Sequence, residues 1–103
     1  QDGRIPWALT AAGIYNRIRG FAPWPGAFTT FRARLCQLWG TPSPGTTPAP
    51  VGRIFTVDGD LFVACGSGTL LRLESVKLEG RKRVGAQEFA SGVRLKDGES
   101  FGP

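Results

Sequence analysis

The chain has 103 residues, with 13 Lys and Arg against 8 Asp and Glu, a formal net charge of +5. That length fits one domain, residues 1–103, and a hydrophobic content of 41% supplies a core, which excludes wholesale disorder. No apolar run approaches the ~20 residues that span a bilayer, and Gln1 opens no signal peptide, so a cytoplasmic protein with no membrane partner is expected.

Thr10 to Gly20 predicts a helix. Thr10 is a capping residue, and Ala11, Ile14, Tyr15 and Ile18 fall on one apolar face. Gly20 supplies the stop. Phe21 to Gly26 holds Pro23 and Pro25, which forbid helix or central strand and predict a rigid turn with aromatic anchors. Strands are expected at Ala27 to Phe31 and at Arg34 to Trp39, joined by a tight turn at Arg32-Ala33.

Thr41 to Pro50 is rich in Pro and Thr and reads as a long surface loop. Gly52 to Val57 and Leu61 to Cys65 read as a hairpin around Asp58-Gly59. Gly66-Ser67-Gly68 is a turn, since it lacks the Lys and spacing of a phosphate loop. Thr69 to Leu78 is a long strand. Leu71 and Leu73 share one parity while Val76 and Leu78 share the other, which predicts a bulge near Glu74-Ser75. A basic turn, Gly80-Arg81-Lys82-Arg83, leads to a short helix over Ala86 to Ser91. That helix turns Phe89 inward and is stopped by Gly92. Val93, Leu95 and Phe101 are tethers in a polar tail. The sum is mainly β: about five short strands closing as a small OB-like or SH3-like barrel, with an N-terminal helix and a short C-terminal helix.

The chain contains no His, which removes His-dependent acid–base catalysis and every His-based triad. Asp58 and Asp60 flank a turn glycine and serve turn chemistry. Cys36 and Cys65 lie in apolar runs and are expected as buried, reduced thiols. Without His they make no ordinary zinc site. No catalytic site, metal or cofactor is therefore expected within these residues. The absence of Met, including at the first position, marks the chain as a fragment, a cleaved product or an isolated domain.

Between Asp2 and Asp58 there is no Asp or Glu, yet Arg4, Arg17, Arg19, Arg32, Arg34 and Arg53 stand there. Such a stretch favours a polyanion. Arg81, Lys82 and Arg83 form the densest basic run and suit successive phosphates, which add affinity without reading sequence. Arg32 and Arg34 lie near them if the barrel closes. Trp24, Phe28 and Phe31 are candidates for base stacking, but they follow a rigid turn and are read as core.

Ile14-Tyr15-Asn16-Arg17-Ile18-Arg19-Gly20-Phe21 followed by Pro23-Trp24-Pro25-Gly26-Ala27-Phe28-Thr29 resembles the start of the C-terminal domain of methionyl-tRNA formyltransferases. Ile5-Pro6-Trp7 resembles that family's entry segment, and Val63 to Leu70 its central strand pair. Gly80-Arg81-Lys82-Arg83, Glu88-Phe89, Gly92 and Arg94-Leu95 match its closing stretch. The Pro/Thr-rich loop and Val84-Gly85-Ala86 depart from the pattern. The resemblance implies an OB-like barrel that follows a Rossmann-like catalytic domain. That domain holds the catalytic Asn, His and Asp and uses 10-formyltetrahydrofolate to formylate methionyl-tRNA. It further implies that this barrel binds the tRNA body without sequence specificity, through Arg81, Lys82, Arg83, Arg32, Arg34 and Arg19, and helps aim the acceptor end. Sugar-nucleotide formyltransferases and formyltetrahydrofolate dehydrogenases carry a similar barrel with a structural or protein-interaction role. A barrel whose charge serves solubility and a stand-alone single-strand binder are further alternatives.

Overall fold

Thr10 opens the first helix through its side chain. Its Oγ1 accepts the Gly13 N–H at 3.2 Å, satisfying a donor that the first turn leaves unpaired. The helix, α1, spans Ala11–Phe21 and buries Ala11, Ile14 and Ile18 along one stripe. This computed structural model describes residues 4–21 and 27–102. The proline-rich turn expected before the first strand, with Trp24, lies outside the described residues.

Strands β1 (Phe28–Phe31) and β2 (Arg34–Ser43) pair antiparallel around Arg32-Ala33. Both turn residues take positive φ, 50° and 67°, the left-handed pair that matches the twist of a two-residue hairpin. Neither is Gly, so the turn carries strain that neighbouring contacts offset. β2 continues through Ser43, four residues past the expected end at Trp39, so the Pro/Thr-rich loop begins later than its composition implied. β1 pairs only with Arg34 to Gln37. Further along, β2 pairs only with β5 among the described residues.

β3 (Ile54–Val57) and β4 (Asp60–Ala64) form the second hairpin, with Asp58 and Gly59 at φ 51° and 86°. A short 3-10 turn at Gly66–Gly68 leads into β5 (Leu70–Leu78), and β6 (Val84–Gly85) folds back onto β5. The bulge lies where the parity slip put it. Trp39 pairs with Ser75 and Gly40 with Leu73, so Glu74 is the extra residue. α2 (Ala86–Val93) runs through Gly92. It ends at Arg94, which takes φ 53° and ψ 59°, because a left-handed residue rather than a glycine as such terminates the helix.

The mainly-β architecture holds, with strand order β1-β2-β5-β4-β3 and β6 on β5. The barrel is not closed by strands, for no ladder joins β1 to β3 among the described residues. The tail fills that gap. Ile54 N–H donates to Glu99 O and Phe101 N–H to Gly52 O, while Gly102 N–H donates to Thr30 O on β1. β1 and β3 are each four residues long, and the tail supplies the backbone partners their facing edges lack.

The core follows from the inward parities: Leu38, Ile54, Leu61, Val63, Leu71 and Val76 are each at most 2% exposed. Trp7, Phe31, Phe89 and Phe101 add an aromatic layer. Trp7 stacks on Phe101 at 5.8 Å, and Phe31 meets Phe89 edge-on at 5.1 Å. The Trp7 indole N–H donates to Thr29 Oγ1 at 3.0 Å, so its one polar atom is satisfied inside. Cys36 and Cys65 are buried and free, and burial pushes both thiols up to about 12, which keeps them protonated at neutral pH. No described helix is long and apolar enough to cross a membrane.

Candidate nucleic-acid interface

β1 ends, and β2 begins, at the sheet end where β5 finishes. Cys36 is opposite Leu78, and Glu79 N–H donates to Leu35 O at 2.9 Å. The β1–β2 turn and the basic turn after β5 therefore share one end of the sheet. The fold thus brings Arg34 to the basic turn. Its Nη2 donates to the Glu79 carbonyl at 3.4 Å, one residue before Gly80. Arg81 and Lys82 are exposed, and Gly80 at φ 77° lets the chain reverse there.

Arg32 is at the same end but is already engaged. Its Nε donates to Glu99 Oε1 at 2.8 Å and its Nη2 to Oε2, a bidentate fork, and its guanidinium lies 4.8 Å from the Phe31 ring centroid. This contact holds the strained hairpin against the tail. It leaves Arg32 with little net charge to offer a ligand. Arg19 is exposed, with its contacts inside α1: Nη2 donates to Asn16 Oδ1 at 2.9 Å and the guanidinium lies over Tyr15. Of the six sequence candidates, Arg34, Arg81 and Lys82 lie at this end, Arg32 joins them neutralised, Arg83 reaches further along the sheet to Trp39 and Ser75, and Arg19 makes local contacts on α1.

The hydrogen bond from Arg32 holds the Glu99 carboxyl at about 2, below its ordinary 4.5, and the same bond raises Arg32. A carboxylate with a lowered folded-state value stabilises the fold above its unfolded value, and that contribution is lost as pH falls through the folded one. The Glu99 contribution is therefore present above about 4.5 and disappears toward about 2. Glu99→Gln is expected to lower the melting temperature modestly at neutral pH, since the pair is partly exposed. It should also flatten the fall in stability across that acid window. Thermal melts by circular dichroism at stepped pH check this, and parallel curves for the two proteins contradict it.

Arg83 is held differently from its neighbours. Its guanidinium carbon lies 3.9 Å from the Trp39 ring centroid, and its Nε donates to Ser75 Oγ at 2.8 Å. Trp39 and Ser75 are register partners on the outward face of β2 and β5. Neither was singled out from sequence. The usable signal was parity: Trp39 alternates with inward Cys36 and Leu38 and must face outward. The aromatics read as core divide. Phe31 is 2% exposed and belongs to the core, whereas Phe28 is half-buried beneath Arg4, whose guanidinium carbon lies 5.5 Å from the ring centroid.

Fold and surface together define a small, basic, mainly-β domain with an exposed basic turn at one sheet end. The family model described as formyl transferase, C-terminal domain matches residues 1–94, and the chain belongs to that family. A methionyl-tRNA formyltransferase of Solibacter usitatus is 46% identical over 103 residues, covering 99% of this chain and 32% of that protein. One from Geobacter metallireducens is 44% identical over 103 residues, with 99% and 32% covered. One from Enterococcus faecalis is 39% identical over 95 residues, with 90% and 30% covered. The chain spans about a third of the length of these curated relatives.

Proposed function

We propose that this domain binds tRNA through the backbone, without base readout, and so orients methionyl-tRNA for N-formylation by a catalytic domain outside these residues. The observation that carries the reading is the exposed basic run Arg81-Lys82-Arg83 that follows β5, with Arg34 bonded to the Glu79 carbonyl at its start. Arg19 on α1, and Arg32 to the extent that Glu99 leaves it charge, complete the set. Relatives that carry this domain are methionyl-tRNA formyltransferases, which supports the choice of polyanion. The setting is the cytoplasm. The chain has no His, so the family's catalytic His is assigned to the other domain, and 10-formyltetrahydrofolate with it.

Backbone binding has a salt signature. Each phosphate neutralised adds on the order of 0.7 to 0.9 to the slope of log affinity against log salt. Replacing Arg81, Lys82 and Arg83 together by Gln should lower that slope by roughly two units and weaken binding on the order of a hundredfold at moderate salt. Fluorescence anisotropy of bulk tRNA across a salt series measures both. An unchanged slope removes the basic turn from the interface.

A further inference from the structure

Arg83 carries constraints that a solvated turn residue does not need. Its guanidinium carbon lies 3.9 Å from the Trp39 ring centroid, and Ser75 fixes its inner nitrogen. The backbone just beyond it is pinned where Val84 pairs with Val76 and Gly85 with Ser75. Ser75 is only 8% exposed although it lies on the outward face, and with Thr29 it is one of two buried polar residues among those described. Its hydroxyl spends that burial on one acceptor role, toward Arg83.

Three restraints thus hold one guanidinium, yet its outer edge is unused. Neither terminal amino group of Arg83 takes part in a hydrogen bond or ion pair among the described residues, and the residue is exposed. The result is a planar fork with its donors directed away from its fixed side. Arg32 takes Glu99 side-on through Nε and Nη2, whereas Arg83, with Nε committed to Ser75, keeps its two terminal amino groups for an oxyanion met end-on. Lys77, two residues along β5 from Ser75 and opposite Gln37, adds a second cation to the same outward face.

The geometry points to Arg83 as a preorganised fork for a single backbone phosphate of RNA, with Trp39 and Ser75 as its positioning residues. This rests on the reading of the domain as a tRNA binder, and it divides the basic turn into two roles. Arg81 and Lys82 contribute diffuse attraction, which a Lys or an Arg supplies equally well. Arg83 contributes one directed contact that fixes register. A long side chain ordinarily loses its rotamer freedom on binding, and Arg83 has lost it on folding. A Lys at this position keeps the charge and loses both the stack and the fork.

Charge-conserving variants of the 103-residue chain separate these roles. Anisotropy is read on bulk tRNA and on a duplex of poly(A) and poly(U), which offers phosphates and no guanine. Arg83→Lys is expected to bind both about tenfold more weakly with the wild-type salt slope, because two charge-assisted bonds are lost and no charge is. Arg81→Lys should bind as wild type does. Ser75→Ala removes only the positioning bond and should cost about threefold on both RNAs, which keeps the test sound if Arg83→Lys melts early. Full binding by Arg83→Lys and Ser75→Ala overturns the fork. A loss confined to tRNA, with the guanine-free duplex bound normally, overturns the phosphate in favour of a guanine edge. A wild-type chain with no salt-dependent tRNA binding overturns the tRNA reading itself, and the fork with it.

Discussion

Phe101→Ala is expected to destabilise the domain by about 3 to 5 kcal/mol, the usual cost of deleting a buried phenyl ring. Phe101 stands in the irregular, polar segment after α2, where local sequence alone promises tolerance. It is nonetheless 3% exposed and packs against Trp7, Phe31 and Phe89 at centroid distances of 5.8, 5.8 and 6.2 Å. The backbone doubles the effect of the ring. Residues 99 to 102 supply hydrogen bonds to Gly52, Ile54 and Thr30, and these join the two ends of the sheet. A residue that slips from the core pulls the seam open. Domains of about this size are stable by roughly 5 to 15 kcal/mol, so the variant sits near its folding threshold. Urea unfolding followed by circular dichroism measures the loss. Val57→Ala, at a side chain 49% exposed on β3, is the control and should fall within about 0.5 kcal/mol of wild type. Equal midpoints for the two variants would show that the tail is only a tether.

Gly66→Ala should be at least as severe, at about 3 kcal/mol or more, above the range usual for overpacking a core. A Cβ at Gly66 would lie 1.8 Å from the Ala8 carbonyl oxygen and 2.7 Å from its carbon. Both are backbone atoms, so no side-chain rotation relieves the clash. The Gly66 N–H also donates to Leu9 O at 2.7 Å, and Ala11 N–H donates to Thr69 Oγ1 at 2.9 Å. The segment that carries Trp7 into the core is therefore docked on this turn. Displacing it uncovers the aromatic layer and the start of α1 together. Gly92→Ala makes the contrasting case: a Cβ there meets nothing within 4 Å, and the residue is inside α2. It should gain up to about 1 kcal/mol through helix propensity. Matching midpoints for the two alanine variants would remove the close approach at Gly66 as a determinant.

Much of the fold was legible because local rules acted alone there. Thr10 needs no tertiary partner to cap a helix, and Asp58-Gly59 needs none to reverse a strand. The Glu74 bulge was written in the parity of Leu71, Leu73, Val76 and Leu78, because a strand that buries one face records any extra residue as a slip. Where sequence reading failed, a distant element had changed the local outcome. β2 runs past Trp39 because β5 lies beside it; the end of α2 is the exception and is local, since Arg94 and not Gly92 takes the left-handed conformation. The site divides the same way. The basic turn was visible as a run of like charge, whereas Trp39 and Ser75 were not. Each belongs to the site only through a pairing across two strands.

A mainly-β domain with a capped leading helix, a cationic turn and no His was therefore legible from residue order alone. These follow from composition, period and short-range turn chemistry. Folding in three dimensions brought the tail across the sheet, set Glu99 against Arg32, and fixed Arg83 on Trp39 and Ser75. Each of those is a contact between residues more than forty positions apart or a register between strands, apart from the short reach of Arg83 to Ser75. One-dimensional patterns carry which face a side chain takes. They do not carry which partner is waiting there.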